Sequence, residues 1–120
     1  MSMNKLNFKL TTNSDVIISG EFNYFMKDDV LNFTDKENIY RYNTTKHILN
    51  KENKKSIMNI DMDNHVIIYV YKELNKEFQL PITMKNISIN DNNILYEYEV
   101  EDNDIINIIE ISYWQPMYLW

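Results

Sequence analysis

The segment 93–101, Asn-Ile-Leu-Tyr-Glu-Tyr-Glu-Val-Glu, constrains the fold more than any other part of the chain. Ile94, Tyr96, Tyr98 and Val100 fall on one face of an extended chain, and three glutamates occupy the other face. Successive side chains of a β-strand point to opposite sides, whereas a helix would spread the glutamates around its surface. The segment is therefore predicted to be a strand with a buried apolar face and an acidic outer face.

The same alternation of apolar and polar residues recurs along the chain. It is found in the segments 6–10, 16–24, 58–62, 78–84 and 105–113. Turn-forming residues separate the apolar runs, most of them ~8–12 residues apart, which is the spacing expected of a sandwich or barrel. These turn signals lie at 13–15, 28–29, 35–38, 43–44, 50–53, 63–64, 75–76, 90–93 and 102–104. No segment has the periodicity of an amphipathic helix, and no linker divides the chain.

These patterns predict an all-β fold in which residues 1–120 form a single domain. About eight to ten short strands suit a small antiparallel meander, and closing the sheet into a barrel would remove its exposed edges. A two-sheet β-sandwich is the alternative architecture. Pro81 lies within a predicted strand. Because proline has no N–H to donate, this indicates an edge position, a bulge, or a position whose backbone nitrogen does not point at a neighbouring strand.

The chain contains one glycine, Gly20, and 18 asparagines. A P-loop or a dinucleotide-binding turn needs several glycines, because the backbone must approach phosphate closely. The chain has no cysteine, which excludes disulfides and thiolate-bound metals. Asparagine tolerates the left-handed conformation of tight turns, so we expect it to replace glycine there. Gly20 falls on an apolar strand face, where it is expected to mark a bend or a bulge.

The formal net charge is -6, divided between +2 for residues 1–60 and -8 for residues 61–120. An acidic chain lacks the basic surface needed to bind nucleic acid or anionic lipid, so neither is expected as a partner. The segment MSMNKLNFKL has no apolar core like that of a signal peptide, and no stretch is long and apolar enough to span a bilayer as a helix. We therefore expect a cytoplasmic protein.

Several hydrophobic motifs follow one another in a characteristic order. They are Phe22-Asn-Tyr24, Asp29-Val-Leu-Asn-Phe33, Asn38-Ile-Tyr40, Phe78-Gln-Leu-Pro-Ile-Thr83, Ile94-Leu-Tyr96-Glu-Tyr98 and Ile109-Glu-Ile111. In this order they resemble the motifs of the YwiB-like family, small bacterial proteins of unknown function with a calycin-like, or lipocalin-like, β-barrel. The similarity extends over roughly residues 6–114, and glycines of the family's central turns are replaced here by asparagine and lysine. The resemblance implies a barrel and an interior ligand, and it supplies no catalytic residues.

Four residues are candidates for binding a ligand inside the barrel. Tyr96 and Tyr98 share the predicted inner face, where a buried phenol needs a hydrogen-bond partner. That partner is either a ligand or a neighbouring group of the core. Tyr69, in a segment that is apolar on both faces, is a third candidate. Arg41, the chain's one arginine, either points inward and clamps a carboxylate or phosphate, or points outward as a surface charge.

Other charged groups are interpreted as ordinary surface. His47 and the lysines at 46, 51, 54 and 55 form a basic cluster that is best explained as a solvated loop. Asp61, Asp63 and His65 share a strand face, but the glycine and terminal glutamate of a calcium loop are missing, so the segment is interpreted as a turn. We find no catalytic constellation and predict no enzyme activity, no cofactor and no metal site.

The residues that follow the last predicted strand are unusually aromatic. We expect the tail 115–120 to pack on the barrel or on a partner chain, with Trp114, Tyr118 and Trp120 as contact residues. The leading hypothesis is a non-enzymatic module that binds a small, mainly apolar ligand in the barrel interior. The alternative is a structural or protein-interaction module that acts through the tail or the acidic face. Either a monomer or a homodimer is compatible with the sequence.

Overall fold

The computed structural model describes residues 4–101 and 103–113, which form ten antiparallel strands and contain no helix. Each strand is joined to the next by a hairpin, so the chain is an uninterrupted meander. The predicted all-β fold and strand number are confirmed. The strands are β1 (Asn4–Thr12), β2 (Asp15–Lys27), β3 (Val30–Thr34), β4 (Ile39–Asn43), β5 (Ile48–Glu52), β6 (Ser56–Asp61), β7 (Val66–Tyr71), β8 (Lys76–Ile89), β9 (Asn93–Val100) and β10 (Ile105–Tyr113).

Pairing of the first strand with the last closes the sheet into a barrel. Leu6 lies opposite Tyr113 and Thr12 lies opposite Asn107, with every residue between them in register. A closed sheet leaves no edge strand along which a second chain could add. The continuous ring of hydrogen-bonded strands shows that the fold is a closed barrel and not a two-sheet sandwich.

The nine hairpin connections lie at or next to the predicted turn signals, as far as the described residues extend, but the signal at 50–53 is misplaced because residues 50–52 belong to β5. The loops 13–14 and 28–29 have two residues each, and all four residues have a positive φ, from 48° to 73°. This is the type I′ turn, whose twist matches that of the flanking strands. Other turns use side chains instead: Asn43 Oδ1 accepts the backbone N–H groups of Thr45 and Lys46.

Asparagine takes the left-handed conformation less often than the sequence predicted. Of the eight described residues with positive φ, asparagine supplies Asn13 and Asn75. Aspartate, serine and histidine supply the others, namely Ser14, Asp28, Asp29, His47, His65 and Asp104. Aspartate also tolerates this conformation because its short polar side chain bonds locally.

The predicted inner and outer faces of β9 are confirmed. Ile94, Tyr96, Tyr98 and Val100 are at most 7% exposed, and the residues between them are half-exposed. Side chains from all the other strands meet these four in one core. The barrel interior is therefore largely filled, which is typical of small barrels.

β8 is the longest strand, and it changes its partner part-way along. Lys76–Pro81 pair with β7, whereas Ile82–Ile89 pair with β9. Pro81 stands at this change, where its carbonyl accepts the N–H of Glu101 and its missing N–H removes no ladder bond to β9.

Gly20 does not mark a bulge, contrary to the prediction. It lies opposite Phe8 in a regular part of the ladder, and the nearest irregularity lies between Leu10 and Thr11. Its φ is not in the left-handed region. A Cβ at this position would lie 3.7 Å from the Phe22 ring, which is an ordinary van der Waals distance.

Candidate functional site

Antiparallel hairpins place alternate loops at opposite ends of the barrel. The loops 13–14, 35–38, 53–55, 72–75 and 101–104 mark one end, here called the cavity end. The loops 28–29, 44–47, 62–65 and 90–92 mark the other, here called the tyrosine end. The two ends of the interior have different contents.

The cavity end contains a cavity of about 210 Å³ in the barrel interior. Its lining residues come from seven strands and are mainly apolar, and five of them carry polar side-chain atoms. The apolar wall residues include Phe8, Leu49, Met58, Ile60, Ile67 and Ile109. The residues with polar side-chain atoms are Thr12, Tyr40, Lys51, Tyr98 and Asn107.

Of the polar side chains that line this cavity and bond to no described residue, that of Tyr98 is the most deeply buried. Its side chain is 3% exposed, and Tyr98 Oη has no hydrogen-bond partner among the described residues. Every fully enclosed side-chain nitrogen or oxygen in that part of the chain does have a partner, so the hydroxyl must touch open space. Burial raises the pKa of Tyr98 above its usual value, and the phenol is protonated at neutral pH with or without that shift, so it can donate a hydrogen bond.

Lys51 is a cationic side chain on the inner face of the barrel. It pairs with Tyr40 on one side and Met58 on the other, and all three line the cavity. Lys51 is half-buried and forms no ion pair with any described carboxylate. The interpretation of Lys51 as part of a solvated basic loop is therefore wrong. Period two from the buried Leu49 places Lys51 inward, and a strand assignment for β5 would have revealed it.

The rim of the cavity end is held by hydrogen bonds between loops and strands. Tyr40 Oη donates to Asp35 at 3.0 Å, and the Tyr40 ring stacks on Phe33 with centroids 4.9 Å apart. Burial by itself would raise the pKa of Asp35, but bonds from the backbone N–H groups of residues 37 and 38 and from Tyr40 lower it below its usual value. Asn53 Nδ2 donates to Asn38 Oδ1 at 3.1 Å and joins two rim loops.

The tyrosine end is filled by paired aromatic side chains. The hydroxyls of Tyr42 and Tyr96 are 2.5 Å apart, and each residue is 1% exposed. Tyr24 and Tyr113 pack edge to face beside them, with centroids 6.0 Å apart. Burial raises the pKa of both Tyr42 and Tyr96. Tyr96, a predicted ligand residue, thus lies away from the cavity with its hydroxyl already bonded.

The structure places Arg41 outside the barrel, which is the outward alternative that the sequence left open. Its neighbours Tyr40 and Tyr42 are buried, and Arg41 Nη1 lies 3.0 Å from Asn50 Oδ1 and 3.3 Å from Glu52 Oε1. Glu52 also accepts a bond from Lys72 at 2.8 Å. These hydrogen bonds, from Lys72 first and then Arg41, lower the pKa of Glu52.

Tyr69 lies on the inner face, opposite Met58 and Phe78 in the ladder. It is half-buried, and its ring centroid lies 6.4 Å from that of Tyr71. It is not among the residues that line the cavity. Its role in ligand binding stays a prediction.

The acidic segment 61–65 forms a turn, as the sequence indicated. Asp61 accepts the backbone N–H and the side-chain amide of Asn64 at 3.0 and 2.8 Å. Asp63 contacts His47 Nδ1 at 3.1 Å and connects two loops of the tyrosine end. Within residues 4–101 and 103–113, no three histidine, aspartate or glutamate side chains gather where they could hold a metal ion.

Trp114, Tyr118 and Trp120, the predicted interaction residues, lie outside the described residues, as does the whole 115–120 tail. Their part in packing or partner binding stays a prediction. In the part of the chain that the structure covers, no helix has the length and apolar character needed to cross a membrane.

Comparison with known proteins gives a likeness of structure. No protein-family model matches the chain, and no curated protein sequence matches it. The chain is similar to the crystal structure of the ywiB protein from Bacillus subtilis, with 12% sequence identity and a TM-score of 0.49 over 95% of this chain and 92% of that one. That protein shares its name with the family that the sequence motifs resemble.

Proposed function

We propose that the protein is a non-enzymatic binding module that takes a small, mainly apolar ligand into the cavity end of its barrel. The observation that carries the proposal is the 210 Å³ interior cavity with its apolar walls and few polar atoms. Ligand sites in proteins commonly combine an apolar lining with a small number of polar groups that fix orientation.

The size of the cavity limits the ligand. An apolar cavity of about 150 Å³ is enough to bind benzene. A volume of about 210 Å³ therefore suits a body somewhat larger than one benzene ring. The rim bonds of Tyr40 to Asp35 and of Asn53 to Asn38 support a preformed opening, which lowers the entropic cost of binding.

Titration of the full chain with 1-octanol, a neutral probe, tests this proposal by calorimetry and by NMR of the isoleucine methyl groups. We expect shifts at Ile60, Ile67 and Ile109, which line the cavity, and none at Ile94 and Ile111. If the probe leaves the methyl groups of the cavity end unshifted at millimolar concentration, the proposal is wrong.

A cavity-filling variant makes the test specific. Met58→Trp places an indole in the cavity and should abolish probe binding, because the space is then occupied. Met26→Trp is the matched control, since Met26 is 39% exposed near the opposite end and should leave binding unchanged. Thermal unfolding of both variants shows whether they are folded. Equal binding by the two variants would place the probe somewhere else.

A further inference from the structure

Among the polar groups that line the cavity, those without a protein partner can all donate a hydrogen bond. Lys51 carries an ammonium group and Tyr98 a phenol, and neither bonds to a described residue. Thr12 Oγ1 donates to Asn107 Oδ1 at 2.6 Å, which leaves the Asn107 amide N–H groups uncommitted. Three donors from β5, β9 and β10 therefore line one apolar space.

We infer that the ligand is an amphipathic monocarboxylate whose apolar body fills the cavity and whose carboxylate binds Lys51 and Tyr98. This inference rests on the proposed function and adds the chemical class of the ligand. A carboxylate offers only acceptors, so it matches a set of donors, and bonds to charged groups are the stronger kind. The lining includes one cationic residue and no acidic residue, so it balances one negative charge.

The position of Lys51 supports this orientation of the ligand. It lies next to Glu52, the last residue of β5, close to the loop 53–55 of the cavity end. Being half-buried, it can keep its ammonium group at the solvent side while its methylene groups contact the apolar wall. The carboxylate would then face the opening, and the apolar body would point toward Ile60 and Ile109. With about 210 Å³ of space, the body has about eight carbons or a single ring.

Two probes of equal chain length separate the effect of charge from that of burial. Octanoate and 1-octanol differ only in the head group, and calorimetry measures the dissociation constant of each for the full chain. We expect octanoate to bind at least ten times more tightly at low ionic strength, because its charged head gains the Lys51 contact. The advantage should shrink as salt screens the half-exposed pair.

Variants of Lys51 and Tyr98 test whether these two residues cause the preference for octanoate over 1-octanol. Lys51→Met should weaken octanoate binding at least tenfold and leave 1-octanol binding within twofold, and Lys51→Gln provides a second form of the same test. Tyr98→Phe should weaken octanoate binding about threefold, since it removes one neutral donor. Lys54→Met is the matched control, because this exposed lysine does not line the cavity and its loss should change neither constant.

The outcomes distinguish the two proposals. If neither probe binds, the proposed function fails and the inference fails with it. If both probes bind equally and Lys51→Met leaves their ratio unchanged, the cavity binds apolar molecules but the carboxylate inference is wrong. If octanoate is preferred and the Lys51 variants lose that preference while keeping 1-octanol, the inference holds.

Discussion

The two ends of the barrel interior use the same residue type in opposite ways. At the tyrosine end, the Tyr42 and Tyr96 hydroxyls bond to each other at 2.5 Å inside a filled core. At the cavity end, Tyr98 is also almost fully buried, yet its hydroxyl bonds to no described residue, and Tyr98 and Lys51 line the same cavity. A hydroxyl that meets open space lacks the stabilising bond that the Tyr42–Tyr96 pair makes, so stability alone gives little reason for placing it there. The tyrosine end is thus filled and internally bonded, whereas the cavity end keeps the open space that the proposed ligand would occupy.

The largest expected effect compares packing at the two ends. Ile111 is 0% exposed, and Ile111→Ala should lower the free energy of unfolding by about 2–5 kcal/mol, because the closely packed core cannot collapse around the lost atoms. Met58→Ala should cost less than half as much, since Met58 is half-buried and already borders a cavity. Denaturant unfolding measures both values, and equal losses would contradict the contrast.

The next largest effect is expected when single tyrosine hydroxyls are removed, because the loss of stability should differ between the two ends. Tyr42→Phe leaves the buried Tyr96 hydroxyl without its bond and should cost about 1–3 kcal/mol of unfolding free energy. Tyr98→Phe should change stability by less than about 0.5 kcal/mol, because that hydroxyl has no protein partner to lose. The double variant Tyr42→Phe/Tyr96→Phe should recover part of the loss. A Tyr98→Phe variant as unstable as Tyr42→Phe would show that the two hydroxyls are in equivalent settings.

Alkaline pH should destabilise the barrel through its buried phenols. Burial raises the folded-state pKa of Tyr42, Tyr96 and Tyr98 above the ordinary value of 10.0. Their contribution to stability is therefore complete below pH 10 and is lost as the pH rises toward the folded pKa, by up to about 1.4 kcal/mol per pH unit for each phenol. Denaturant unfolding between pH 8 and 11.5 measures the slope. The Tyr42→Phe/Tyr96→Phe variant should show a shallower decline, and an identical slope would assign the effect to other groups.

The smallest effect is expected at Gly20, which lies near the rings of Phe8 and Phe22 and contacts none of the tyrosine hydroxyls discussed above. Gly20→Ala should stabilise the protein by about 0.4–1 kcal/mol, because the backbone there suits any residue and the unfolded chain loses freedom. The new methyl group meets the Phe22 ring at an ordinary contact distance. Thermal and denaturant unfolding test this, and a destabilised variant would reveal packing tighter than 3.7 Å.

Alternation and turn chemistry made the fold predictable from the sequence. The row Ile94, Tyr96, Tyr98 and Val100 could be assigned to one face because that face repeats every second residue. Local turn residues likewise located the hairpins, since a hairpin loop depends on a few neighbouring residues.

The contents of the interior could not be predicted in the same way. Which tyrosine meets Tyr42 and which meets a cavity depends on register across several strands, and residues 42 and 96 lie 54 apart in sequence. Lys51 was missed because a lysine among other lysines suggests a loop, and its short strand offers only Leu49 as an inward neighbour. Gly20 was misjudged because glycine in a strand often marks a bulge, whereas the register shift here lies nearby, where Leu10 pairs with Ile18 and Thr11 pairs with Val16.

The closing of the ring between β1 and β10 also affects how the barrel forms in time. The other pairings join strands that are neighbours in the chain, so each hairpin can fold locally on a microsecond scale. The pair Thr12 and Asn107, in contrast, must meet across 95 residues. Such non-local contacts slow folding because the chain loses conformational entropy before the favourable free energy of the contact is gained. We therefore expect closure of the first strand on the last to set the folding rate, and until it occurs both strands would present open edges to other chains.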